Sequence, residues 1–110
     1  MSGSNYEREL KKDLASSGWL VFRSAGSFVC DLIALKPNHS RLIEVKSTSK
    51  EVFNVSYSKR DRDQFDILNN LAKEEFDVYY YIRWKGKRHH KWTKIRLPLD
   101  TYPVIRYEGK

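Results

Sequence analysis

Cys30-Asp31-Leu32-Ile33-Ala34-Leu35 and Leu42-Ile43-Glu44-Val45-Lys46 are two apolar runs that charged residues interrupt. Runs of this length, rich in β-branched residues, are typical of strands that are covered on both faces of a sheet. The turn residues Pro37-Asn38-His39-Ser40 lie between them and predict a hairpin. A buried charge destabilises a fold by several kcal/mol unless something compensates it. Three charges gathered at one edge of a core therefore indicate a metal-dependent active site.

The predicted register of this hairpin brings the charges together. A four-residue loop pairs Lys36 with Arg41, which places Asp31 opposite Lys46 and Ile33 opposite Glu44. Because side chains alternate between the faces of a strand, Asp31, Glu44 and Lys46 then share one face. Two carboxylates on that face predict a site for one hard cation at about 2.0–2.1 Å. The opposite face is apolar and carries Leu32, Ala34, Ile43 and Val45.

Length, charge and cysteine content bound the class of protein. A chain of 110 residues predicts a single domain over residues 1–110, and a net charge of +7 with a pI near 9.6 favours polyanionic partners, nucleic acid first. No apolar run is long enough for a membrane span, and no apolar segment typical of a secretion signal stands at the N-terminus. The single cysteine, Cys30, suits a reducing cytoplasm, and we expect it to be a small core residue.

The periodicity of the chain predicts an α/β fold, a mixed sheet flanked by helices. Ser58 is the expected N-cap of the second helix, and Gly18 is the expected stop of the first. The stretch 47–58 is expected to be mostly irregular. The predicted order αβββαββ comprises helices over 4–16 and 59–75 and strands over 19–23, 30–35, 42–46, 78–84 and 92–97.

The central motif has the form D-x12-E-x-K, from Asp31 through Glu44 to Lys46. Cutting a phosphodiester needs a metal that polarises the phosphate and lowers the pKa of water. Asp31 and Glu44 offer hard oxygen ligands, the carbonyl of Val45 offers a third, and Lys46 offers a point charge for the developing anion. The alternative is a structural ion pair between Asp31 and Lys46, which leaves Glu44 unexplained.

Other polar residues keep two interpretations open. Glu7 either closes a capping box with Ser4 or lies beside the buried stripe as a functional acid. Arg23 precedes the small-residue loop Ser24-Ala25-Gly26-Ser27, which either approaches a phosphate or is a plain turn. The basic run from Lys85 to Lys91 is either a solvated hairpin tip or a contact with the DNA backbone.

Four motifs, in their order and spacing, resemble the archaeal Holliday junction resolvases, which are restriction-endonuclease-like nucleases. They are Asn5-Tyr6-Glu7-Arg8-Glu9-Leu10, Arg23-Ser24-Ala25-Gly26-Ser27, Asp31-Leu32-Ile33-Ala34 and Ile43-Glu44-Val45-Lys46. The run Lys59-Arg60-Asp61 also looks familial. Phe28 departs from the pattern, because relatives tend to have a small or polar residue there.

The resemblance implies roles residue by residue. Asp31, Glu44 and Glu7 match the metal-binding acids, and Lys46 matches the catalytic lysine. Ser27 matches a loop serine that contacts DNA near the cut. The resemblance further implies Mg²⁺ as cofactor, with Mn²⁺ able to substitute, and a homodimer that acts on four-way junction DNA in an archaeal cell or a cell infected by an archaeal virus. The basic residues expected to bind DNA are Arg8, Arg23, Lys59 and Arg60.

The expected function is therefore that of a Holliday junction resolvase, which makes paired cuts in four-way DNA junctions. Two rivals remain: a restriction or repair endonuclease of the same fold, and a non-catalytic nucleic-acid-binding module whose acids are structural.

Overall fold

A computed structural model describes residues 3–24 and 30–109, and its elements follow the chain order αββββαβββ. The helices are α1 (Gly3–Ser16) and α2 (Lys59–Lys73), and a short 3₁₀ helix covers Val55–Tyr57. The strands are β1 (Leu20–Arg23), β2 (Leu32–Lys36), β3 (His39–Thr48), β4 (Val52–Asn54), β5 (Val78–Trp84), β6 (Trp92–Arg96) and β7 (Val104–Arg106).

Five strands form a mixed sheet in the order β1-β2-β3-β5-β6. The β3–β5 pair is parallel and its neighbours are antiparallel, so α2 lies in a crossover connection between two parallel strands. The predicted mixed sheet with flanking helices is thus confirmed. The predicted order αβββαββ is wrong in one respect, because β4 and β7 pair into a separate two-stranded sheet.

The turn between β2 and β3 is shorter than predicted. Lys36 pairs with His39 rather than Arg41, so the loop contains Pro37 and Asn38 alone. Asn38 has a φ of 64°, and proline followed by a residue with positive φ is typical of a tight type II turn. The register therefore shifts by two residues. A shift of two preserves the alternation of faces, whereas a shift of one would have reversed it.

The two faces of the sheet carry separate cores, as the alternation predicts. Leu32, Ala34 and Ile43 are fully buried against α1, together with Leu10 and Leu14 of that helix, and Val45 packs beside them. The other face packs on α2 through Phe65, Leu68 and Ala72, with Ile33 and Leu42 at its margin. Glu44 and Lys46 lie on this second face, between the sheet and α2.

The ends of both helices agree with the sequence signals. Ser58 caps α2 by accepting a hydrogen bond from the Asp61 amide at 3.1 Å, as predicted. Gly18 follows α1 with a φ of 92°, a conformation that suits glycine after a helix. Helix α2 ends at Lys73, two residues before the predicted end.

Candidate active site

Several elements meet at one end of the main sheet, which we call the site end. There β1 ends at Arg23, β2 begins at Leu32 and β5 ends at Trp84. Because β2 runs antiparallel to β3, the start of β2 lies beside the second half of β3. The motif residues before β2 and within β3 are therefore neighbours, although twelve residues separate them in sequence.

Asp31 stands just before β2 and extends the pairing with β3. Its amide donates to the Ile43 carbonyl at 3.0 Å, and its carboxylate Oδ2 accepts from the Val45 amide at 2.8 Å. The recorded pairs of β2 and β3 end at Leu32 with Ile43, and Asp31 bonds Ile43 and Val45 instead of lying opposite Lys46 as predicted. A register error of two residues keeps the predicted faces of the paired residues, and the Asp31 carboxylate lies near enough to Glu44 to raise its pKa.

Glu44 is the buried acid of the site, with a relative exposure of 4%. Its Oε2 accepts from Gln64 Nε2 at 2.8 Å and lies 3.4 Å from Lys46 Nζ. Its Oε1 is buried and has no hydrogen-bond partner in the described part of the chain. Burial, and next the nearby Asp31 carboxylate, raise the pKa of Glu44 to about 7.

The Oε1 atom of Glu44, which has no hydrogen-bond partner among the described residues, is free to bind a metal ion. A buried oxygen without a donor is costly unless a cation or water completes it. Strand residues direct N–H and C=O to the same side, so the Val45 carbonyl leaves β3 on the side where its amide meets Asp31. Carboxylate and carbonyl oxygens together are donors for a hard cation such as Mg²⁺.

Lys46 bridges the sheet and α2. Its Nζ lies 3.4 Å from Glu44 Oε2 and 3.5 Å from Asp61 Oδ1, and its side chain is 22% exposed. The alternative of a structural pair between Asp31 and Lys46 is wrong, since the carboxylates recorded beside Lys46 belong to other residues. Lys46 is held next to Glu44 with an open side toward solvent.

Glu7 approaches the same end from α1. Its Oε1 lies 3.4 Å from Arg23 Nη2, and its side chain is 21% exposed. Burial and the nearby Asp31 carboxylate raise the pKa of Glu7, while Arg23 opposes this. Within residues 3–24 and 30–109, no three Asp, Glu, His or Cys side chains stand close enough to hold one ion. The three-acid metal set of Glu7, Asp31 and Glu44 therefore stays a prediction.

The predicted DNA-binding residues have different surroundings. Arg8 and Arg60 are exposed, and Arg23 is paired with Glu7. Lys59 Nζ donates to Asp63 at 2.6 Å on the solvent side of α2. Ser27 and Phe28 lie outside the described residues. Of the described residues on either side of them, the Ser24 amide donates to the Asp31 carbonyl at 3.0 Å.

Two residues of α2 belong to the site although the sequence did not mark them for it. Gln64 donates to Glu44, and Asp61, which was noted only as part of the familial run Lys59-Arg60-Asp61 at the start of the helix, contacts Lys46. The helical spacing in the sequence did indicate that these two residues face the sheet. Asp61 and Gln64 are three residues apart, and Gln64 is four before Leu68, so both lie along the inward side of the helix.

Cys30 is not part of this chemistry. Its side chain is buried, and burial raises the pKa of the Cys30 thiol to about 11. The thiol donates to the Leu32 carbonyl at 3.4 Å. A thiol this hard to ionise is not a nucleophile, so the prediction of a small core residue is confirmed.

Comparison with known proteins places this geometry in a family. The model of the archaeal Holliday junction resolvase family (Hjc) matches residues 1–107. The chain belongs to that family. In this chain the predicted site residues Asp31, Glu44 and Lys46 lie close together, as described above.

Relatives of this resolvase family member agree in sequence and in fold. Over 85 residues, or 77% of the chain, it is 44% identical to the crossover junction endodeoxyribonuclease Hjc of Methanocaldococcus jannaschii. The matched part spans 61% of that relative's length. The solved Hjc Holliday junction resolvase of Archaeoglobus fulgidus has the same restriction-endonuclease-like fold. The TM-score is 0.70 with 22% identity, over 94% of this chain and 83% of that one.

The described part of the chain contains no helix long and apolar enough to cross a membrane.

Proposed function

We propose that this protein is a Holliday junction resolvase, a divalent-metal-dependent endonuclease that makes paired cuts in four-way DNA junctions. The observation that carries the proposal is Glu44, which is buried beside Asp31 and Lys46 and whose Oε1 has no hydrogen-bond partner among the described residues. An unsatisfied buried carboxylate oxygen is costly, and a bound cation would satisfy it.

The residues proposed to hold the metal are Asp31, Glu44 and the carbonyl of Val45, with Glu7 completing the set from α1. All four donors are oxygens, which favours Mg²⁺, with Mn²⁺ as a substitute. A divalent ion bound there supplies a Lewis acid that polarises the phosphodiester and lowers the pKa of water. Asp31 is oriented for this task because its Oδ2 is fixed by the Val45 amide.

Lys46 is proposed to stabilise the charge that develops on the phosphate. Its ammonium is anchored by Glu44 and Asp61, so it is preorganised and loses little entropy when substrate arrives. Gln64 donates to Oε2 of Glu44 and so leaves Oε1 as the atom available for the cation. Arg23 pairs with Glu7 and competes with the ion for that carboxylate.

DNA affinity is proposed to come from phosphate contacts of Arg8, Arg23, Ser27, Lys59 and Arg60. Such contacts do not read sequence, which suits an enzyme that selects a structure. A four-way junction has a two-fold axis, and a homodimer with two active sites matches it. We further propose that the dimer acts in the cytoplasm of an archaeal cell, or of a cell infected by an archaeal virus.

The test compares a labelled four-way junction with a linear duplex of the same sequence, with Mg²⁺ or with EDTA. We expect paired cuts in the junction alone, and only with Mg²⁺. Equal cutting of the duplex would favour a restriction or repair endonuclease instead. E44Q is the matched variant: a binding module predicts unchanged behaviour, whereas the proposed resolvase loses cleavage and retains junction binding.

A further inference from the structure

The net charge of the chain is concentrated in one hairpin. The basic hairpin, residues 78–99, consists of β5, a tip over 85–91, β6 and the three residues that follow it. It contains seven lysines and arginines and no Asp or Glu, while the net charge of the whole chain is +7. The remaining residues are therefore balanced in charge. The hairpin therefore accounts for the excess of positive charge in the chain, and this excess attracts a polyanion in addition to the basic residues named above.

Partners neutralise some of these charges and leave others available. Arg83 lies 3.2 Å from Glu9, Lys87 lies 2.8 Å from Glu51, and Arg96 is likewise paired. No carboxylate of the described residues lies within 4.0 Å of the remaining four cations. They are Lys85, Arg88, Lys91 and Lys94, and of the four Arg88 and Lys91 are exposed in the tip.

The tip is held in place by other parts of the fold. The Tyr107 hydroxyl donates to the His89 carbonyl at 2.7 Å, and the Tyr107 ring packs against Trp84 at 5.5 Å. Lys87 reaches Glu51 and lies over the Tyr107 ring, 4.7 Å from its centroid. Gly86 has a φ of 75°, which permits the turn. A solvated tip needs none of these anchors, whereas a preorganised one loses less entropy when it binds.

The tip lies at the site end of the sheet. Thr48 pairs with Trp84, and the Lys85 amide donates to the Thr48 carbonyl at 2.9 Å. Four residues separate Thr48 from Glu44 along β3, which is about 13 Å at the rise of a strand. Phosphates on one DNA strand follow each other at about 3.4 Å along the helix axis. The tip thus begins about 13 Å beyond Glu44 along β3, a length that about four base pairs of duplex span.

We propose that Arg88 and Lys91 bind the DNA backbone about four base pairs from the cut, on one side of it. This second contact rests on the proposed nuclease function and extends the DNA surface beyond the residues named there. The ligand is the phosphate backbone of duplex DNA in a junction arm. The contact fixes the position of the arm relative to the acids and adds affinity without reading sequence.

The experiment compares two variants with equal charge loss, R88A/K91A in the tip and K12A/K73A on exposed positions of α1 and α2. Junction binding is measured by fluorescence anisotropy without divalent cation, over a range of salt. Each lost phosphate contact removes about 0.9 from the log–log salt slope, so we expect R88A/K91A to reduce it by about 1.8. When the salt rises from 50 to 200 mM, the affinity of R88A/K91A should therefore fall by a factor about ten times smaller than the fall for wild type. K12A/K73A keeps the wild-type slope.

Phosphate ethylation locates the contact. Ethylation about four base pairs from the cut should weaken binding of wild type and K12A/K73A but leave R88A/K91A unaffected. An unchanged slope for R88A/K91A, or an equal fall for both variants, overturns the tip contact. Failure of wild type to cut the junction with Mg²⁺ overturns the proposed function instead.

Discussion

Replacing Glu44 by glutamine should stabilise the metal-free protein at neutral and alkaline pH. The substitution keeps the size of the side chain and an oxygen for the Gln64 hydrogen bond, but it removes the buried charge. In the folded state the pKa of Glu44 is about 7, against 4.5 when it is unperturbed. A carboxylate whose pKa is raised by folding contributes a stability that is present below pH 4.5 and is lost as the pH rises through 7.

The magnitude follows from the two pKa values. A difference of about 2.5 units at about 1.4 kcal/mol per unit gives about 3 kcal/mol. The free energy of unfolding of E44Q minus that of wild type should therefore increase by about 3 kcal/mol between pH 4.5 and pH 8. For a domain of this size, that is a difference of about 13 °C in Tm.

Urea unfolding of both proteins at a series of pH values with EDTA measures this difference. E108Q, at an exposed position, is the control and should show no such trend. Adding Mg²⁺ at about 100 times its Kd should then stabilise wild type by about 2.7 kcal/mol but not E44Q. The reasoning is refuted if the difference between E44Q and wild type is the same at pH 5 and pH 8.

Three further changes test other parts of the site and core. K46A should lower single-turnover cleavage about a hundredfold or more and leave junction affinity nearly unchanged, because the lysine acts on charge that develops in the reaction. Q64L removes a donor that lowers the pKa of Glu44, so the pH dependence of cleavage should shift upward, which a pH–rate profile detects. F65A empties a 2%-exposed core position between Tyr80 and Tyr102 and should cost about 3–5 kcal/mol in urea unfolding.

The faces of β2 and β3 were predictable, and their register was not. Side chains alternate between faces, so a register error of an even number of residues leaves the faces unchanged. Asp31 and Glu44 were therefore predicted to lie together although the loop was predicted two residues too long. The loop itself depends on whether Asn38 adopts a positive φ, a local choice that the residue types permit without requiring.

Short or tertiary features escaped prediction for a different reason. Strands β4 and β7 have three residues each, too few for a period to appear, and about fifty residues of chain separate the two partners. The contact between Gln64 and Glu44 depends on how α2 packs over the sheet, which no local pattern encodes. The sequence motif marked Glu7 as a candidate site residue, but its ion pair with Arg23 follows only from the three-dimensional fold.

The parallel pairing of β3 with β5 has a consequence for the order of folding. Leu42 and Val78 are neighbours in the sheet but thirty-six positions apart in the chain. Closing so long a loop is slow compared with forming the local β2–β3 hairpin. The hairpin brings the two acids together early, while Lys46 receives its partner Asp61 only after the crossover has docked. The two acids and Lys46 are therefore expected to be neighbours in the hairpin before α2 supplies the contacts that hold the lysine and Glu44 in place.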